Sequence, residues 1–139
     1  MKSEEKKHFP RGLNDSVAFE DVLALVARCE KKVIRLFELG DKTLRIWFQD
    51  RSVLVLVDSK DECCERRFMR TDDNLADFVG ARLLRVELRD ATRVRDYDRE
   101  RVSEVQFLAV VTTKGEFVLS NHNVHNGFYG GFRLQASLE

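Results

Sequence analysis

Residues 120–132 read SNHNVHNGFYGGF: two histidines, three asparagines, three glycines and three aromatics, with no carboxylate, lysine or arginine. An asparagine amide offers both donors and an acceptor, and a neutral histidine ring offers one of each. Glycine lets a backbone approach a ligand closely. Phe128, Tyr129 and Phe132 supply flat faces on which a purine can stack. Arg133 follows at once, and Arg66, Arg67 and Arg82 are further candidate phosphate partners, because a guanidinium forks onto phosphate oxygens. Together these are parts of a site for a nucleotide-like small molecule, with 120–132 as its binding loop. The alternative is an Asn- and Gly-rich turn whose amides are satisfied locally and whose aromatics sit in the core.

Other chemistries are less well supplied. His122, His125 and one of Cys63 or Cys64 make a weak zinc set: there is no C-x-x-C, and adjacent cysteines on a strand point to opposite faces. No G-x-S-x-G, phosphate-binding P-loop or H-E-x-x-H occurs. Glu62 and Glu65 flank the cysteines, and their field disfavours a thiolate. The residues therefore point to no catalytic group, no metal and no cofactor.

The elements that would position the loop follow from periodicity. Phe19, Val22, Leu23 and Val26 recur at i, i+3, i+4, i+7 after Asp15 and Ser16, candidate N-caps, so 16–29 reads as an amphipathic helix. The period then becomes two. Residues 31–39, 42–49 and 52–58 read as a three-strand meander turning at Gly40-Asp41 and Asp50-Arg51. The third, SVLVLVD, is apolar on both faces and should be a central or doubly covered strand. A polar lead-in and strand fill 59–70, and a short helix spans 73–79, capped by Asp72 or Asp73 and stopped by Gly80. Strands follow at 81–91, 103–113, 116–120 and 132–138, with 92–102 a charged loop. The expected fold is α+β: a bent antiparallel sheet of six or seven strands, an N-terminal helix and a short second helix. Residues 1–12 read as a mobile tail and 13–139 as one ligand-binding domain.

Composition narrows the class. The 139 residues suffice for one domain with a core, and 43% are apolar. With 24 basic and 24 acidic residues the net charge is zero, against a general binder of DNA or RNA. Arginine outnumbers lysine by 16 to 8, which suits forked contacts to phosphate or carboxylate. No apolar run reaches membrane-spanning length and the first residues lack a signal-peptide core, so a cytoplasmic protein with reduced Cys29, Cys63 and Cys64 is expected. Trp47 alternates with Leu44, Ile46 and Phe48, which leaves apolar surface on the opposite face and predicts self-association.

Three stretches taken in order, CCERRF (63–68), DNLADFVGARLLRVE (73–87) and EVQFLAVVTTKGEFVLSNHNVHNGFYGGF (104–132), resemble a family of small phage-encoded proteins, the first type of Thoeris anti-defence protein. The resemblance implies a sponge. Such proteins bind glyco-cyclic ADP-ribose isomers, made as an alarm by bacterial TIR-domain proteins, and sequester them uncleaved in the host cytoplasm. Some also bind cyclic trinucleotides, and they are homo-oligomers (dimers or hexamers) with pockets shared between chains. Carried onto matching positions, ligand contact falls on Asn121, His122, Asn123, His125, Asn126, Tyr129 and Arg133, beside Arg66 from the residue reading. The alternatives are an enzyme hydrolysing the same signal, and a zinc-binding or protein-interaction module.

Overall fold

The computed structural model describes residues 4–8, 16–60, 65–127 and 130–139. Cys63, Cys64, Phe128 and Tyr129, and the candidate cap Asp15, lie outside them. The first element is β1 (Glu4–His8), within the segment read as a tail. It lies antiparallel beside a longer strand, Glu4 opposite Asp96 and His8 opposite Thr92. Edge pairing of this kind uses backbone groups alone, so no apolar pattern announces it.

The helix forms as its period dictates. In α1 (Ser16–Arg28), Phe19, Val22 and Val26 are buried, and Cys29 just beyond is buried with them. Burial pushes the Cys29 thiol's pKa up, so this thiol is inert packing. Leu23, expected on the inner stripe, is 42% exposed.

The strands divide into two sheets, and the expected single sheet of six or seven strands is corrected accordingly. A four-stranded sheet has the order β2 (Ile34–Leu39), β3 (Thr43–Phe48), β4 (Val53–Asp58), then β9 (Leu134–Leu138). A five-stranded sheet has the order β1, β6 (Leu83–Asp96), β7 (Arg101–Thr112), β8 (Gly115–His125), then β5 (Arg66–Thr71). Every pairing is antiparallel among the described residues. β4 is central, with Val53 to Leu56 all buried, as its unbroken apolar run requires. Between β5 and β6 the short helix is one 3-10 turn, Leu75–Phe78. Asn74 caps it by accepting from the Ala76 N–H, while Asp73 instead accepts from the Val118 N–H at 2.9 Å. Gly80, at φ +88°, ends it.

The main core lies between the sheets and under α1. Phe48, Leu54 and Leu56 meet Leu83, Val110, Phe117 and Leu119, with Val22 and Val26 above. The charged run 92–102, expected as a loop, is mostly strand: β6 continues to Asp96 and β7 resumes at Arg101, leaving a turn at 97–100. Arg93 stands opposite Glu104, so charge faces charge within the sheet.

Candidate functional site

The first half of the expected binding loop is strand. Ser120–His125 belongs to β8, hydrogen-bonded to β7 on one side and β5 on the other. Side chains of a strand alternate. Asn121, Asn123 and His125 therefore point inward and are buried, while Ser120, His122 and Val124 share the outer face and are half-buried. The inner face is apolar at Leu119 and Phe117 and polar beyond them, so one strand serves both the core and a buried polar cluster.

Arg67 on β5 is the hub of that cluster. Its Nη1 donates to Asp58 Oδ2 at 2.8 Å; Nη2 and Nε donate to Glu65 Oε2 and Oε1 at 2.6 and 3.2 Å. All three side chains are almost wholly buried. Burial works against the guanidinium's charge, but Glu65 and Asp58 outweigh it and raise the arginine's pKa above its usual range. Asn123 Nδ2 donates to Glu65 Oε2 at 2.8 Å and Asn121 Nδ2 to Asp58 Oδ2 at 3.3 Å. Gln106, opposite Asn121 on β7, is buried with its whole amide unpartnered among the described residues, as are the Asn121 and Asn123 amide oxygens.

A second buried pair adjoins the first. His125 Nδ1 accepts from the Gly127 N–H at 3.0 Å, so the ring proton sits on Nε2 and is donated to Glu104 Oε1 at 2.8 Å. The Gly131 N–H donates to the same oxygen at 3.0 Å. Burial alone would raise the Glu104 pKa, but the bonds from His125 and Gly131, with Arg93 nearby, bring it below its ordinary value.

Next to this cluster the surface opens into a cleft of about 360 Å³, lined by Glu65, Arg66, Arg99, Glu100, Arg101, Val124, His125 and Asn126. Arg99 reaches Asp96 at 3.8 Å. Arg66 and Arg101 are exposed, and neither meets a carboxylate among the described residues. Glu65 is committed to Arg67 and Arg99 to Asp96, which leaves Arg66 and Arg101 against Glu100, a small positive excess. Along the outer face Phe68 and His122 stack with centroids 4.5 Å apart and planes within 6°, and the Arg66 guanidinium lies 5.1 Å from the Phe68 ring centre. His122 Nε2 and Ser120 Oγ share a hydrogen bond of 2.9 Å.

Burial, then the charge of Arg70, lowers the His122 pKa below its ordinary 6.5. A depressed imidazole contributes stability that is present above its unfolded value and lost as pH falls through its folded value. Urea midpoints should therefore fall as pH drops below 6.5. His122→Phe keeps a ring on Phe68 without a proton and should remove that part of the slope; an unaltered slope would assign it to other groups.

The predicted residues thus separate into three groups. Arg66, His125 and Asn126 line the cleft, and His122 lies on the same sheet's outer face. Asn121 and Asn123 are interior and hold carboxylates. Arg133 is exposed outside the cleft wall, with its backbone N–H on Asp58 Oδ1 at 3.0 Å, and Tyr129 lies outside the described residues. Arg67 and Arg82, candidate phosphate partners, have other duties: Arg67 is a buried ion-pair hub, and Arg82 Nη1 donates to the Lys31 carbonyl at 2.8 Å. His122 and His125 occupy opposite faces of β8 and cannot share an ion, which removes the zinc set built on both. Sequence reasoning missed Arg99, Arg101, Glu104 and Gln106. The alternation of Val102, Glu104, Gln106 and Leu108 was the available signal, since a period of two continues through the polar residues.

A family model described as a domain of unknown function, DUF7448, matches residues 27–134. The chain belongs to that family. The matched span runs from the end of α1 to the start of β9 and so contains both the buried cluster and the cleft. No curated protein and no solved structure matches the chain.

Proposed function

We propose that the protein sequesters a cyclic ADP-ribose-type immune signal, a glyco-cyclic ADP-ribose isomer, without cleaving it, and so blocks TIR-dependent Thoeris defence on behalf of a phage. The observation that carries this reading is the cleft in which exposed Arg66 and Arg101 face solvent beside Asn126. A diphosphate needs paired guanidinium donors, and ribose hydroxyls need an amide. A purine needs a flat wall, which the Phe68–His122 stack beside Arg66 supplies. A cyclic ligand is already constrained, so less ordering entropy opposes its capture.

The cleft is at the small end of the range for ligand sites, about 300–1,000 Å³, and it is open on one side. A second copy of the chain is the natural lid, in keeping with a homo-oligomer whose sites are shared. Leu36, 51% exposed beside its cross-strand neighbour Trp47, adds apolar surface for such contacts on the other sheet. Cyclic trinucleotides are a second candidate ligand class for the same kind of assembly.

The test is capture followed by recovery. The protein is incubated with products of an activated TIR-domain enzyme, washed and denatured, and the released small molecules are weighed by mass spectrometry. An intact cyclic ADP-ribose isomer is the expected result. A linear or hydrolysed product would replace the sponge with a hydrolase. Release of no nucleotide would favour a protein-interaction module.

A further inference from the structure

Gly130–Arg133 runs between the site strand and β9, and buried side chains from both sheets grip its backbone. Glu104 Oε1 accepts the Gly131 N–H at 3.0 Å, Arg67 Nη1 donates to the Gly131 carbonyl at 3.0 Å, and Asp58 Oδ1 accepts the Arg133 N–H at 3.0 Å. Lys60 Nζ donates to the Gly130 carbonyl. The approach is close: a Cβ on Gly130 would stand 2.8 Å from Glu104 Oε1 and 3.3 Å from His125 Nε2. Gly131 has φ +79°, a conformation that glycine adopts without strain. The segment therefore backs directly onto the buried ring of His125, a residue of the cleft lining.

A buried ion pair is a poor device for raw stability, because desolvation offsets much of its attraction. It is a good device for fixing one geometry. An irregular segment would ordinarily give its backbone groups to water. Here they are given to charged groups that are themselves locked, Arg67 to Asp58 across the two sheets and Glu104 to His125 within one. We infer that Glu104, Arg67 and Asp58 are positioning residues: they hold Gly130–Arg133 in one place against His125 and thereby set the inner wall of the cleft. The link to ligand rests on the reading of that cleft as the binding site; the hold on the segment does not.

Amide hydrogen exchange tests the hold directly. Glu104→Ala and Gly130→Ala should each speed exchange at Gly131 and Arg133 by about tenfold or more, while amides of β3 and β4 keep their wild-type rates. Glu104→Gln retains an acceptor for the Gly131 N–H and should stay within about threefold of wild type. A purely structural role would not show that rescue confined to one segment. In parallel, titration with a cyclic ADP-ribose isomer should weaken about tenfold in Glu104→Ala and recover in Glu104→Gln. Unchanged exchange at Gly131 and Arg133, or acceleration spread equally over β3 and β4, would overturn the inference. So would a loosened segment with undiminished affinity. If the wild-type protein takes up no such ligand, the binding reading fails, and the exchange data still decide whether the segment is held.

Discussion

Arg67→Ala should lower the unfolding free energy by about 3–5 kcal/mol, the usual result of removing one partner from a buried ion pair. The size follows from what the substitution leaves behind. Asp58 and Glu65 are each about 1% exposed at the side chain, and Arg67 supplies the cation for both. Without it two carboxylates remain in the interior with only amide and backbone donors, from Asn121, Asn123, Arg133 and Lys60. One or both must then take a proton or draw in water, and either outcome favours the unfolded chain. Arg67→Lys keeps a charge but cannot fork onto Glu65 while reaching Asp58, and should cost on the order of 1–2 kcal/mol. Chemical denaturation of the three proteins at neutral pH measures this order. A loss under about 1 kcal/mol for Arg67→Ala would show that the carboxylates are wet in solution and that the cluster is not an interior one.

That cluster also marks where the sequence was legible and where it was not. α1 and β4 follow from spacing alone, because Phe19, Val22 and Val26 share a helical stripe and Val53 to Leu56 admit no polar face. The second half of β8 did not follow, although its period of two continues without a break. Its inward positions are Asn121, Asn123 and His125, and an eye that equates the inner face with apolar residues reads them as a loop. The same assumption hid Glu104 and Gln106 on β7 and made a loop of 92–102. Partition into two sheets is a separate matter. It depends on β5 pairing with β8 and β9 with β4, contacts between residues far apart in the chain that no local pattern encodes. Arg99 and Arg101 became site residues only once the β6–β7 hairpin brought its tip beside the end of β8. Arg66 was legible as a residue type, and its place in the cleft rests on its register opposite Val124.

Arg66→Glu combined with Arg101→Glu should weaken binding of a cyclic ADP-ribose isomer by at least about a hundredfold, because each charge-assisted contact is worth about 1.5–3 kcal/mol before repulsion is counted. Both side chains are exposed, and neither has a carboxylate partner among the described residues, so reversing them should leave the melting temperature close to that of the wild type. Arg35→Glu, an exposed reversal on the four-stranded sheet, controls for net charge and should leave affinity unchanged. Salt gives an independent readout. Raising ionic strength screens exposed guanidinium–phosphate attraction, so wild-type affinity should fall with added salt and the double variant should respond little or with opposite sign. The arginines also separate from the aromatic wall. Phe68→Ala removes the ring under the Arg66 guanidinium and beside His122, and should reduce affinity by about 1–3 kcal/mol while leaving the salt dependence intact. If the doubly reversed protein bound the ligand as tightly as wild type, with the same salt dependence, the phosphate would lie elsewhere on the molecule and the cleft between the β6–β7 turn and the end of β8 would not be its site.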